Sequence, residues 1–179
     1  MGIRKALSYS KKIARPYTRN SRRKDKSYIK TVPPNKIVKY NVGNQKDFEE
    51  GKHTYTVRFL TDEWVQIRDN ALEACRMLLT KKLDEEIPGQ YFLSVKVHPH
   101  HLQRENKSAA AVAGADRIST GMTQSFGTVI GRAAMVKSGQ EIFFVSCSSE
   151  KAAQAAKTAM GSMRSKVPCK TRIVFEKMS

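Results

Sequence analysis

Hydrophobic and polar positions change period several times along the chain, and each change marks an element. Residues 36–40 (Lys-Ile-Val-Lys-Tyr) are strand-like and stop at Gly43-Asn44. Residues 54–60 alternate more cleanly, with Tyr55, Val57 and Phe59 on one side, which is the period of a half-buried strand. Thr61-Asp62-Glu63 then reads as a helix start, with Thr61 as cap and two acids where the helix dipole favours negative charge. Trp64, Ile67, Ala71, Leu72, Cys75, Leu78 and Leu79 follow at three-to-four spacing. That is the apolar stripe of a helix of about five turns ending before Pro88-Gly89, with Trp64 and Cys75 as core residues. Residues 91–97 return to strand character. Residues 99–132 hold few large apolar side chains and many Gly, Ala and Ser, so a long loop is expected there. Residues 140–146 read as a buried strand. Ser148 and Ser149 offer an N-cap, and Glu150 opens a second helix carrying Ala152, Ala153, Ala156, Ala159, Met160 and Met163 on one face. Pro168 ends it, and residues 171–175 supply a last strand. The order β-β-α-β-loop-β-α-β predicts an α+β fold, a largely antiparallel sheet with two helices packed on it.

Residues 1–34 lack such periodicity and end at Pro33-Pro34. The chain therefore divides into an extended arm, 1–34, and a single α+β domain, 35–179, into which a flexible loop is inserted at about 99–132. Charge gives the arm its meaning. The 179 residues carry 33 Lys and Arg against 16 Asp and Glu, a formal net charge of +17. Residues 1–30 contribute 11 basic side chains and one acid, a net +10 that leaves +7 for the other 149 residues. Such one-sided charge on a compact body is self-repelling, so a polyanionic partner is the economical explanation. Arg15, Arg19, Arg22, Arg23, Lys24 and Lys26 are interleaved with Tyr17 and Tyr28. Guanidinium forks match phosphate oxygens and tyrosine rings stack on bases, so the arm fits RNA better than an acidic membrane surface or a solubilising tail. No apolar stretch follows the first basic residues as in a signal peptide, and no run reaches the length of a membrane helix. Cys75, Cys147 and Cys169 are odd in number and widely spaced, unlike a disulfide framework or a zinc ribbon. A soluble intracellular protein is expected.

Two segments offer candidate chemistry. His98-Pro99-His100-His101 holds three of the four histidines, but no Cys or carboxylate lies nearby until Glu105, so neither a metal site nor an acid–base pair is expected. The imidazoles are assigned instead to RNA contact, together with Arg132. The Gly-rich stretch 113–121 lacks the Gly-Lys-Ser/Thr ending of a phosphate-binding loop. Its small residues let the backbone lie close to a large partner, with Arg104, Lys107, Arg117 and Arg132 as phosphate anchors. No run of aromatic residues on a strand forms a stacking platform of the kind a free-standing RNA-binding domain carries. No catalytic residue, cofactor, metal or small-molecule substrate is expected.

Several motifs together carry a resemblance: Arg15-Pro16-Tyr17-Thr18-Arg19, Tyr28-Ile29, Val32-Pro33, Gly43-Asn44, Val95-Lys96-Val97-His98-Pro99, Arg104-Glu105-Asn106-Lys107, Ala113-Gly114-Ala115-Asp116-Arg117 and Thr120-Gly121-Met122. In this order they resemble the universal large-subunit ribosomal protein family numbered sixteen in bacteria and ten-e in archaea, and the chain is similar to the archaeal form. The resemblance implies an α/β-hammerhead-like fold and binding to large-subunit rRNA beside the aminoacyl-tRNA site, near the peptidyl-transferase centre. It implies that residues 104–122, with Arg104, Lys107, Gly114, Asp116, Arg117 and Gly121, form a loop directed at the acceptor end of tRNA. Partners would be rRNA, tRNA and neighbouring large-subunit proteins, in the cytoplasmic ribosome. The chain departs from the family pattern in a longer, more basic stretch between Arg19 and Tyr28.

Overall fold

The computed structural model describes residues 32–105 and 128–178, apart from the side chains of Arg104, Glu105 and Thr128. Along the chain run β1 (Asn41–Gly43), α1 (Gln45–Glu49), β2 (Tyr55–Thr61), β3 (Val65–Arg68), α2 (Asp69–Glu86), β4 (Tyr91–Val95), β5 (His101–Glu105), β6 (Thr128–Val136), β7 (Glu141–Cys147), α3 (Glu150–Met163) and β8 (Thr171–Lys177). The strands form a five-stranded sheet of order β1-β4-β7-β2-β8 and a three-stranded sheet of order β3-β6-β5. Every pairing is antiparallel. The α+β class is therefore as the sequence predicts, with two sheets where one was expected.

One core lies between the sheets and the helices. The register Val57↔Val145 and Phe59↔Phe143 sets four large apolar side chains side by side on one face, all fully buried. Leu72, Cys75, Leu79 and Leu83 recur every three or four residues on α2 and meet the same cluster. The buried face of α3 is Ala152, Ala153, Ala156, Ala159, Met160 and Met163, and the four alanines let its backbone come close to the sheet. Ser149 caps α3 by accepting from the Ala152 N–H at 3.2 Å. Val65, Ile67, Ala134 and Val136 of the three-stranded sheet complete the cluster, so the two sheets share a single hydrophobic interior.

The other face of the five-stranded sheet has its own small cover. Phe48 of α1 stacks on Phe92 with ring centroids 4.8 Å apart and meets Phe144 edge-on at 5.7 Å. His53 is buried beside them, with Nδ1 2.8 Å from the Ser146 hydroxyl. Burial holds its imidazole below the ordinary histidine range, against an opposing pull from Asp47.

Four expectations change. Residues 36–40 form no strand: Ile37 is buried, but its N–H donates to Asn35 Oδ1 at 3.2 Å rather than to a ladder. The helix expected from Thr61 begins at Asp69, because residues 65–68 alternate and pair with β6. The Thr61 hydroxyl closes a local turn, accepting from the Glu63 N–H at 3.2 Å, and caps no helix. Trp64 is consequently not a core residue and is 59% exposed. The stretch 99–132, expected as one loop, holds strand at both sides: β5 from His101 and β6 from Thr128 pair with a register shift between Gln103 and Arg104.

Candidate nucleic-acid interface

The segment entering the domain is held by polar contacts that its own sequence supplies. Arg132 on β6 donates through Nε to the Pro33 carbonyl at 2.7 Å. Asn35 donates through Nδ2 to the Tyr40 hydroxyl at 2.6 Å, and the Val95 N–H donates to the Tyr40 carbonyl at 2.8 Å. These contacts fix the Tyr40 ring next to the chain leaving β4.

That chain continues the in–out alternation of a strand. Val97 and Pro99 are buried, while His98 and His100 are exposed. The His98 ring stacks on Tyr40, with centroids 5.5 Å apart and planes within 15°. His100 lies 4.1 Å from His98, and its N–H donates to the His98 carbonyl at 3.0 Å, tightening the turn. Three rings thus form a ladder beside the Arg132 guanidinium. Burial, then the neighbouring His100 and Arg132, hold the His98 imidazole below the usual range. Burial raises the Tyr40 phenol, opposed by its bond to Asn35 and by Arg132. The lowered His98 imidazole and the raised Tyr40 phenol both favour their neutral forms, and Arg132 supplies positive charge at their side. Ring faces for stacking and a fork for phosphate are what this arrangement offers chemically.

The expected contact residues separate into four groups. His98, His100 and Arg132 come together as described. His101 does not join them: it is only 5% exposed, on the opposite side of the chain, and burial lowers its pKa. Its imidazole is buried in the free chain, apart from the ladder. Arg104 has its backbone in β5, paired with Val129. Arg15, Tyr17, Arg19, Arg22, Arg23, Lys24, Lys26, Tyr28, Lys107, Gly114, Asp116, Arg117 and Gly121 lie outside the described residues. Tyr40 is the member that sequence reasoning missed, because the two halves of the ladder lie on segments far apart in the chain. Burial pushes the Cys75 and Cys147 thiols up to about 12, which keeps them protonated and unreactive at neutral pH. Among the described residues, no group of three or more His, Cys, Asp or Glu is placed to hold a metal, and no helix is long and apolar enough to cross a membrane.

Comparison with known proteins gives the class of ribosomal proteins. Residues 15–174 match the family model described as Ribosomal protein L16p/L10e. The chain is 41% identical to the large ribosomal subunit protein uL16 of Staphylothermus marinus, over 98% of this chain and 95% of that one. The uL16 of Hyperthermus butylicus is 44% identical over 88% of this chain and 82% of its own length. That of Methanococcus maripaludis is 39% identical over 99% and 96%. The chain belongs to the ribosomal protein L16p/L10e family, as an archaeal-type member and a structural constituent rather than an enzyme.

Proposed function

We propose that this chain holds large-subunit rRNA beside the aminoacyl-tRNA site, near the peptidyl-transferase centre, and so helps position tRNA and assemble the subunit. The observation that carries RNA contact is the Tyr40–His98–His100 ladder beside Arg132. Its location in the subunit rests on the family resemblance of residues 95–99 and 104–122. The ladder supplies sequence-tolerant stacking, Arg132 a phosphate contact, and the basic arm most of the long-range attraction. Neighbouring large-subunit proteins complete the surroundings.

The test is affinity of the full-length protein for protein-free large-subunit rRNA across a salt series. The double variant His98→Ala/His100→Ala is expected to bind about 5- to 150-fold more weakly, the loss of one base stack of about 1–3 kcal/mol. Arg132→Gln should lower the log–log salt slope by about 0.9, the share of one phosphate contact. Circular dichroism of each variant separates these losses from misfolding. Unchanged affinity and slope in folded variants would show a solvated patch and end this reading of it. The tRNA role attaches to the segment between β5 and β6. Deleting residues 107–118 is expected to leave the domain folded and incorporated into subunits while aminoacyl-tRNA binding falls. Failure of the deletion to fold would assign that segment to the core instead.

A further inference from the structure

Trp64 is the only tryptophan in the chain, and it is among the few large hydrophobic side chains the fold leaves exposed. It stands on a connection that is tied down from two sides. The Gly139 N–H donates to the Thr61 carbonyl at 2.7 Å, and the Thr61 N–H donates to the Gln140 carbonyl at 3.1 Å. The Asp62 N–H donates to the Lys170 carbonyl at 3.0 Å, and the Ser138 hydroxyl donates to the Asp62 carbonyl at 2.9 Å. The connection between β2 and β3 is thereby joined to the turn between β6 and β7 and to the residues leading into β8. An exposed indole on a rigid, pre-ordered mount loses little entropy on binding, which is the property of an anchor.

The charges around this mount select the partner. Lys137 and Lys170 are exposed and form no ion pair among the described residues. Asp62 is offset by Arg172, whose Nε lies 3.4 Å from Oδ1. Glu63, the other acid of this connection, is half-buried. An exposed indole on a connection joined to two segments that carry exposed, unpaired lysines suits a nucleic-acid strand, whose bases offer faces and whose phosphates offer charge. We infer that Trp64, with Lys137 and Lys170, forms a second RNA contact at which the indole stacks on an unpaired base of large-subunit rRNA. The inference rests on the proposed rRNA binding but uses none of the residues of the Tyr40–His98–His100 ladder.

Because the tryptophan is unique, its fluorescence reads this contact directly. Titrating the full-length protein with protein-free large-subunit rRNA should quench its emission as the indole stacks on a base. Trp64→Ala should weaken that binding by about 5- to 150-fold, and Trp64→Phe should retain it to within about threefold. Tight RNA binding with unchanged emission and an unaffected Trp64→Ala variant would overturn the inference and leave the proposed function standing. Quenching that develops only when the other large-subunit proteins are added would also overturn it, in favour of an apolar protein partner. Absence of any rRNA binding by the parent protein would overturn both.

Discussion

Replacing Arg22, Arg23, Lys24 and Lys26 together by glutamine is expected to reduce the log–log salt slope of rRNA binding by up to about 3.6. The figure follows from counterion release, in which each phosphate neutralised by a lysine or arginine contributes about 0.9 to the slope. These four residues sit where the chain concentrates its charge, within the +10 of residues 1–30. At about 0.1 M salt the accompanying loss of affinity is of the order of a thousandfold at most, the largest functional effect expected from any small set of substitutions here. Filter binding across a salt series measures both quantities. A slope unchanged from the parent would mean that the four side chains remain solvated in the complex and that the arm contributes attraction only at long range.

The largest effect on folding is expected from Gly43→Ala. Gly43 ends β1 with φ at +94°, a conformation that side chains resist, and it faces β4 at the closest backbone approach among the described glycines. An added Cβ would overlap the Tyr91 carbonyl oxygen and press on its ring. That same oxygen accepts from the Asn44 N–H at 2.8 Å, so relieving the overlap breaks the seam between β1 and β4. Strain at positive φ costs about 1–3 kcal/mol, and loss of the seam adds to it, for a total of roughly 3 kcal/mol or more. Gly51 provides the comparison, with φ at +74° and open space around its Cβ position. Gly51→Ala should cost about 1 kcal/mol, the backbone contribution alone. Urea denaturation of the two variants separates the terms, and equal stabilities would show that β1 moves away from β4 without penalty.

Much of this fold is legible from periodicity, and the exceptions have specific causes. Residues 54–60, 91–97 and 140–146 alternate or run apolar between turn residues, and each coincides with a strand to within a residue or two at its ends. The sequence of α3 shows both its capping serine and its small-residue face. The start of α2 was misplaced because Trp64, Ile67 and Ala71 satisfy a helical spacing by coincidence, whereas the alternation of residues 65–68 spans only four positions. β6 was hidden by composition: Gly131, Ala133 and Ala134 carry little hydrophobic signal, yet Ala133 and Ala134 are buried because small side chains permit close packing. The short α1 did leave a trace, since the Asn44 side chain accepts from the Asp47 N–H at 3.3 Å in a capping arrangement visible as Asn-x-x-Asp.

The candidate interface was legible in part. His98, His100 and Arg132 stand out as residue types suited to RNA, but the ladder they enter requires Tyr40. Its place beside His98 depends on the Val95–Tyr40 backbone bond and on the Asn35 clamp. No local pattern encodes such a long-range juxtaposition. Conversely, alternation along residues 98–101 already sets His101 on the face opposite His98 and His100, and its pairing with Ala133 shows that this face is the buried one.

Sedimentation of the tagged full-length protein from cell lysate on sucrose gradients, at low and high salt, tests the central claim most directly. Integral rRNA binding predicts that the protein travels with the large subunit and with whole ribosomes, and that it stays there at moderate salt. Recovery at the top of the gradient, or release at modest salt, would contradict it and describe a free or transient RNA binder.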